Sequence, residues 1–244
     1  MKFENTAVWG FEHALRGMRN PLESWDKSDS HNDYVGAPKG YAENYYVIGE
    51  NDMNLCKRLI SGGSEHRKFL RQVFVSVDIT APLYWWKEFD TYKVGTVANS
   101  TSTMHKLATT PITIDCFETD DYDGNFTVKY LKAPVDSDLG GEISFDMDGL
   151  FDAICFYLEI LRNKYLETHD KRYWKELVRW LPEGWLQTRT VTLNYENLLT
   201  IYHQRKSHKL NEWSGKDDNT KPNFIAWMLD LPYMRDFVVA AEEP

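Results

Sequence analysis

Cysteine is scarce in this chain, with three among 244 residues, at Cys56, Cys116 and Cys155. They lie far apart and form no Cys-x-x-Cys pair, which argues against a disulfide framework and against a zinc ribbon. Long apolar runs are also missing, since no stretch approaches the ~18 apolar residues of a membrane span. We therefore expect no disulfide scaffold, no metal site and no membrane-spanning segment.

Basic residues are the minority charge, with 28 Lys and Arg against 37 Asp and Glu, a net charge of −9. This balance disfavours bulk nucleic-acid binding through a basic face, while a local basic pocket for one phosphate stays open. The first residues, Met1–Asn5, lack the apolar segment of a secretory signal peptide. We therefore expect a cytoplasmic protein.

Familiar catalytic motifs are absent from the sequence: it has no Gly-x-Gly-x-x-Gly after a strand, no P-loop, no His-Glu-x-x-His and no Gly-x-Ser-x-Gly. His203 and His208 are five positions apart, which does not suit shared metal binding on one helical face, and we predict surface histidines. Any chemistry must therefore come from a less common arrangement of residues.

Hydrophobic periodicity predicts an α+β fold in a single domain, residues 1–244, with an antiparallel or mixed sheet and a mainly helical C-terminal half. Residues 73–79 alternate between apolar and polar and predict a half-buried strand that ends at Ala81-Pro82. Residues 96–103 read as a loop. Further strands are predicted over 112–117 and 126–130 as a hairpin, and helices over 83–93, 148–167, 170–180, 194–211 and 224–229.

One block of polar residues lies in the last quarter of the chain. Asn194 and Arg205 are eleven positions apart, so on a helix they return to almost the same azimuth. Leu198 and Ile201 fall between them as an apolar stripe. An amide and a guanidinium on one helical face suit a buried ligand site; the plainer alternative is a core helix whose arginine pairs with a carboxylate.

A second block follows Trp85-Trp86. Glu88, Thr91 and Tyr92 share a helical face, and hydroxyl side chains then cluster at residues 100–103. Hydroxyls, loop N–H groups and one lysine are able to hold a phosphate or a polar base. An ordinary Ser/Thr-rich loop after a helix is the plainer alternative.

Together the two blocks resemble the flavin-dependent thymidylate synthase (ThyX) family. The family's helix-and-loop pattern runs alongside Trp86–Met104 with several replacements, and Gly62-Gly63 resembles its upstream turn. Residues 106–147 look like a diverged or inserted hairpin. The family's later pattern is matched without a gap by Leu181-Pro182, Thr192, Asn194, Leu198 and Arg205.

The resemblance implies a homotetramer that binds FAD at subunit interfaces, with a nucleotide against the flavin. NADPH and methylene-tetrahydrofolate then serve the methylation of dUMP to dTMP. Carried onto this chain, the catalytic residues are Thr101 and Arg205. The resemblance places flavin contacts at Thr91, Tyr92, Lys93, Asn99, Asn194 and Asn211, and nucleotide contacts at Glu88, Thr101, Thr103, Arg179 and Arg205.

The chain departs from the family pattern where that pattern is most charged. Thr91 and Lys93 replace two arginines, Thr103 replaces a phosphate-binding arginine, and Glu88 replaces a glutamine that reads the base. Each lost charged contact costs about 1.5–3 kcal/mol. Three hypotheses follow: a ThyX-like enzyme, a catalytically inactive nucleotide receptor or sequestering protein with the same fold, and a structural oligomer that keeps only the scaffold.

Overall fold

The computed structural model describes residues 1–33, 45–130 and 143–242. The chain forms two compact units: the first takes in residues 1–81, 85–100 and 188–244, and the second residues 82–84 and 101–187. We describe each unit by itself, and the single domain expected over residues 1–244 stays a prediction. None of the helices in the described ranges is both long and apolar enough to cross a bilayer.

The elements follow an α+β pattern with a mainly helical C-terminal half, which confirms the predicted fold class. The strands are β1 (Lys2–Trp9), β2 (His31–Asp33), β3 (Tyr45–Val47), β4 (Phe74–Pro82), β5 (Val97–Ser100), β6 (Thr127–Tyr130), β7 (Ile143–Asp146) and β8 (Leu186–Asn194). The helices are α1 (Phe11–Arg19), α2 (Glu50–Ser61), α3 (Leu83–Phe89), α4 (Thr103–Lys106), α5 (Met147–Thr168), α6 (Lys171–Arg179), α7 (Tyr195–Arg205), α8 (Asn211–Ser214), α9 (Phe224–Leu229) and α10 (Met234–Glu242).

A four-stranded sheet with the order β1-β4-β8-β5 is the centre of the first unit. β1 runs antiparallel to β4, and β5 runs antiparallel to β8. Val75, Val77 and Ile79 alternate as buried residues along β4, which confirms the strand predicted over 73–79. The sheet therefore turns one apolar face toward the core.

The other face of this sheet carries a row of polar side chains. The residue numbers in this row rise along β4 and fall along β8, as expected for two neighbouring antiparallel strands. Asp78 also accepts a hydrogen bond from Asn5 at 2.7 Å. The row consists of Thr80 with Thr188 at 2.8 Å, Thr190 donating to Asp78 at 2.6 Å, and Thr192 donating to Ser76 at 3.2 Å.

The loop predicted over residues 96–103 is partly wrong, because Val97–Ser100 forms β5. Val97 lies opposite Thr192 in β8, and Ser100 lies opposite Arg189. Ala98 and Asn99 are of types that are depleted in strands, but β8 offers a complete edge of backbone donors and acceptors. Pairing with that distant edge decides the conformation.

Aromatic side chains fill the core beside α3. Trp85 and Trp213 are fully buried and stack with ring centroids 4.5 Å apart. Phe89 packs on Trp85 at 5.2 Å, and Phe224 packs on Trp213 at 5.3 Å. Burying side chains of this size contributes about 1.5–3 kcal/mol each, so this cluster joins α3, α8 and α9 firmly.

A buried ion pair ties α1 to α2 in the same unit. Arg19 Nε donates to Asp52 at 2.6 Å, and the two side chains are 5% and 0% exposed. The hydroxyls of Ser28 and Ser30 each donate to the second carboxylate oxygen of Asp52 at 2.6 Å. Burial alone raises the pKa of Asp52, but the hydrogen bonds from these serines and Arg19 outweigh it and hold that pKa below its ordinary value.

The long helix α5 and the shorter helix α6 organise the second unit and confirm the helices predicted over 148–167 and 170–180. α5 begins after Asp146, whose carboxylate accepts from the Gly149 N–H at 2.6 Å. α6 begins after Asp170, which accepts from the Arg172 N–H at 2.9 Å. Carboxylate N-caps of this kind satisfy backbone donors that a helix leaves open.

The strand predicted over 112–117 is wrong, because Ile114–Cys116 forms a turn of 3-10 helix. Ile112 and Phe117 are both buried against α5 and α6, and this packing overrides the alternating pattern. The strand expected over 126–130 is present as β6, but its partner is β7. The predicted hairpin therefore has the wrong first strand, and residues 131–142 lie outside the described part.

Candidate functional site

Asn194 is the N-cap of α7 and stands outside the helix. Its Oδ1 accepts from the Asn197 N–H at 2.9 Å, and Asn197 Oδ1 accepts from the Asn194 N–H at 3.3 Å. The helix then ends at Arg205, short of the predicted 194–211. The shared helical face predicted for Asn194 and Arg205 is therefore wrong, because the capping box holds Asn194 in an extended conformation.

The turn after α3 packs against this capping box. Asn197 Nδ2 donates to the Val94 carbonyl at 2.8 Å. Gly95 has φ +73°, and a Cβ there would lie 2.9 Å from Asn194 Nδ2. The positive φ favours glycine, a larger residue would also crowd the capping box, and this turn lets the residues that follow α3 lie beside α7.

Arg205, at the C-terminal end of α7, is the centre of a polar and aromatic cluster. Its Nη1 donates to Glu88 Oε2 at 2.6 Å, and its Nε donates to Tyr92 Oη at 2.8 Å. The guanidinium lies 5.0 Å from the Trp213 ring centroid and 5.7 Å from that of Tyr92. Two hydrogen bonds and two ring faces thus fix its position.

Two more side chains complete the arrangement around Arg205. Tyr92 Oη donates to Gln204 Oε1 at 2.9 Å while it accepts from Arg205. His208 Nε2 lies 3.2 Å from the same Glu88 oxygen that pairs with Arg205. We call Glu88, Tyr92, Gln204, Arg205, His208 and Trp213 the Arg205 cluster.

One donor of the Arg205 cluster lacks a partner. The indole N–H of Trp213 is fully buried and makes no hydrogen bond within the described residues. A buried unsatisfied donor costs about 1–3 kcal/mol, and such groups are rare enough in folded proteins to need an explanation. The Trp85 indole N–H is in the same state, so both donors belong to the interior of the aromatic core, which no ligand in solution reaches.

The other predicted flavin contacts of the first unit are not gathered around Arg205. The Thr91 hydroxyl donates to the Glu88 carbonyl at 2.7 Å. Lys93 and Asn99 are exposed, and Asn99 lies opposite Thr190 in the sheet. Asn211 Oδ1 accepts from the N–H groups of residues 217 and 218, so this amide braces a loop.

Three predicted contacts belong to the second unit. Gln187 Nε2 donates to the Thr101 carbonyl and to Thr103 Oγ1, both at 3.1 Å. Arg179 is exposed at the end of α6 and pairs with Glu176. The catalytic role of Thr101 and the nucleotide contacts of Thr103 and Arg179 remain predictions.

Sequence reasoning missed three members of the Arg205 cluster. His208 was predicted to be a surface histidine, but it is only 21% exposed and faces Glu88. Gln204 and Trp213 drew no attention, although a tryptophan eight residues after Arg205 is a signal of a buried aromatic contact. In the described part of the chain, no three His, Cys, Asp or Glu side chains are grouped to hold a metal ion.

A cavity of about 590 Å³ lies elsewhere in the first unit, beside α1 and α2. This size is typical of small-molecule sites. None of the predicted site residues lines it. Its lining combines apolar side chains such as Met18, Leu55 and Phe69 with basic ones, Lys68 and Arg71.

Comparison with known proteins identifies the fold. No model of a known family matches this chain, and no curated protein matches it. One solved structure, of flavin-dependent thymidylate synthase ThyX from Helicobacter pylori complexed with FAD and dUMP, aligns with 100% of this chain and 99% of its own, with a TM-score of 0.59 and 16% identity. A second structure of ThyX from the same organism, with FAD and dUMP, aligns with 97% of this chain and 96% of its own, with a TM-score of 0.56 and 14% identity.

The chain therefore has the ThyX fold along its whole length, which confirms the fold expected from the sequence resemblance. At identities of 14–16% the likeness extends to the fold alone.

Proposed function

We propose that this chain, whose fold is that of ThyX, is a flavin- and nucleotide-binding protein. The Arg205 cluster carries the proposal, because it fixes a partly exposed guanidinium against the rings of Tyr92 and Trp213. Such a site suits a flat heterocycle with hydrogen-bond acceptors on its edge. The solved ThyX structures hold ligands of this kind, FAD and dUMP.

The residues present fit a flavin or a pyrimidine in their chemistry. Arg205 and Tyr92 offer a cation and a phenol that are already oriented, and Gln204 fixes the direction of the Tyr92 hydroxyl. The protein's part is binding and orientation: Arg205 aligns the ring, and Lys93 adds an exposed positive charge after α3. A bound flavin supplies hydride chemistry, which no side chain of the cluster provides.

The finer proposal is the reaction of the resembling family, methylation of dUMP to dTMP with FAD, NADPH and methylene-tetrahydrofolate. In this proposal Thr101 and Arg205 are the catalytic residues. The flavin contacts are Thr91, Tyr92, Lys93, Asn99, Asn194 and Asn211, and the nucleotide contacts are Glu88, Thr103 and Arg179 with the catalytic pair. A cytoplasmic homotetramer is part of the same proposal, since the family builds its sites between subunits.

The visible absorption spectrum of the purified protein, before and after incubation with FAD, tests the proposal first. We expect flavin bands that stay with the protein through gel filtration at close to one FAD per chain. The control is the Arg205→Ala variant under the same conditions, which we expect to retain less flavin. A colourless protein that takes up no FAD contradicts the flavin proposal.

A second candidate function is supported by one observation, the ion pair between Glu88 and Arg205. It occupies one edge of the Arg205 guanidinium, so a non-catalytic nucleotide receptor or sequestering protein fits the same site. Calorimetry with dUMP and related nucleotides separates the two. Binding that persists without FAD, together with no turnover, supports the receptor; turnover with FAD present supports the enzyme.

A further inference from the structure

One carboxylate oxygen in the Arg205 cluster lies between two groups able to carry positive charge. Glu88 Oε2 accepts from Arg205 Nη1 at 2.6 Å and lies 3.2 Å from His208 Nε2. The Glu88 side chain is 33% exposed, so ligands in solution can reach this pair. A carboxylate placed in this way occupies the position that an anionic ligand group takes on a guanidinium.

The guanidinium itself has little freedom to turn toward a different anion. Its Nε is held by Tyr92 Oη at 2.8 Å, and the fully buried Trp213 ring supports one face. An incoming anion must therefore displace Glu88 from Arg205 or approach with the Glu88 charge beside it. Displacement breaks the ion pair between Glu88 and Arg205. Approach beside Glu88 places two negative charges next to each other in a partly buried site, where they repel strongly.

We propose that Glu88 is a specificity-determining residue that sets the charge class of the ligand at Arg205. With Glu88 paired to Arg205, the site takes a ligand that presents a neutral hydrogen-bonding group to this edge and discriminates against one that presents a phosphate or another anion. This inference rests on the proposed function, since it concerns the nucleotide bound at the same cluster.

The Glu88→Gln variant tests the inference, because it removes the charge and keeps the size of the side chain. Binding of dUMP and of uncharged deoxyuridine is measured by calorimetry at low and at physiological salt. We expect dUMP to present its uracil ring to Arg205 in the parent protein and its phosphate in Glu88→Gln, so that the variant binds dUMP at least tenfold more tightly than the parent protein. We expect deoxyuridine affinity to change less than threefold, with the dUMP gain largest at low salt.

Asp90→Asn is the matched control. It removes the same charge two residues away, from a carboxylate that pairs with a different arginine, Arg189, at 2.7 Å. We expect dUMP affinity in this variant to stay within twofold of the parent value. An equal gain in both variants overturns the proposal, because the effect then comes from net charge and not from the Arg205 pair.

Two further outcomes also overturn it: unchanged or weaker dUMP binding in Glu88→Gln, and an equal gain for dUMP and deoxyuridine. If the parent protein binds dUMP and the variant binds it no better, only the role of Glu88 fails. If neither the parent protein nor any variant binds FAD, dUMP or deoxyuridine, the proposed function fails together with the role of Glu88. Circular dichroism and thermal melting of each variant show that the fold is retained, and Glu88→Asp, which keeps the charge, must not reproduce the gain.

Discussion

Two arginine–carboxylate pairs in the first unit share the same chemistry and differ in burial. Arg19 and Asp52 are 5% and 0% exposed, and two serine hydroxyls saturate the carboxylate. Arg205 and Glu88 are 17% and 33% exposed, and an aromatic platform lies beside them. A buried and saturated pair has no way to exchange partners, whereas a partly exposed pair can. The first pair therefore suits a structural role, and the second suits the recognition role that we propose for it.

Breaking the buried pair gives the largest expected effect. Asp52→Ala leaves the Arg19 guanidinium buried without its partner and removes the acceptor for both serines. We expect a loss of about 3–5 kcal/mol in the free energy of unfolding. Urea denaturation followed by circular dichroism measures it, and a loss below about 1 kcal/mol contradicts the structural role assigned to this pair.

Acid breaks the same pair without mutation. The pKa of Asp52 in the folded state lies below its ordinary value, so its contribution to stability is fully present above the unfolded value of about 3.9. The contribution is lost as the pH falls through the lower, folded-state pKa. Unfolding free energies at a series of pH values from 6 downward check this, with Asp52→Asn as the control that lacks this component of the acid dependence.

Arg205→Lys tests the recognition role proposed for the partly exposed pair. Lysine keeps the charge but loses the flat guanidinium surface against the two rings and the second hydrogen bond, to Tyr92. We expect nucleotide or flavin affinity to fall about tenfold, or ~1.4 kcal/mol. Stability should change by no more than about 1 kcal/mol, because lysine keeps the positive charge that pairs with the partly exposed Glu88. Calorimetry and thermal melting on the same samples separate these two effects. A large loss of stability without loss of binding contradicts the recognition role and indicates a structural one.

The smallest effect is expected at a third pair, Arg189 with Asp90. Asp90 is 51% exposed, and Arg189 keeps its contact with the Trp86 ring at 4.2 Å when the carboxylate is neutralised. Asp90→Asn should therefore change the free energy of unfolding by at most about 1 kcal/mol. Urea denaturation of Asp90→Asn and Asp52→Ala under the same conditions measures the difference. A change of more than about 2 kcal/mol in Asp90→Asn shows that burial does not determine how much these ion pairs contribute to stability.

Local sequence patterns predicted a good part of the fold. β4, α5, α6 and α9 follow from periods of two and 3.6 residues and from their capping or punctuating residues. β1, α1, α2 and α10 were not predicted. The strand expected over 112–117 failed, because Ile112 and Phe117 pack onto helices that lie far along the chain.

The residues of the candidate site were likewise predicted only in part. Sequence resemblance selected Glu88, Tyr92 and Arg205, which the structure brings together. It also selected Asn211, which braces a loop in the structure.

The sequence by itself determined the α+β class, the main helices and the ThyX-like pattern, because these depend on local periodicity and on spacing along one segment. Only the tertiary structure decided that Glu88 meets Arg205, from which it is separated by 117 positions, and that Trp213 supports the guanidinium. Contacts of that separation depend on how α3, α7 and α8 pack around a shared aromatic core, and no local pattern encodes that packing.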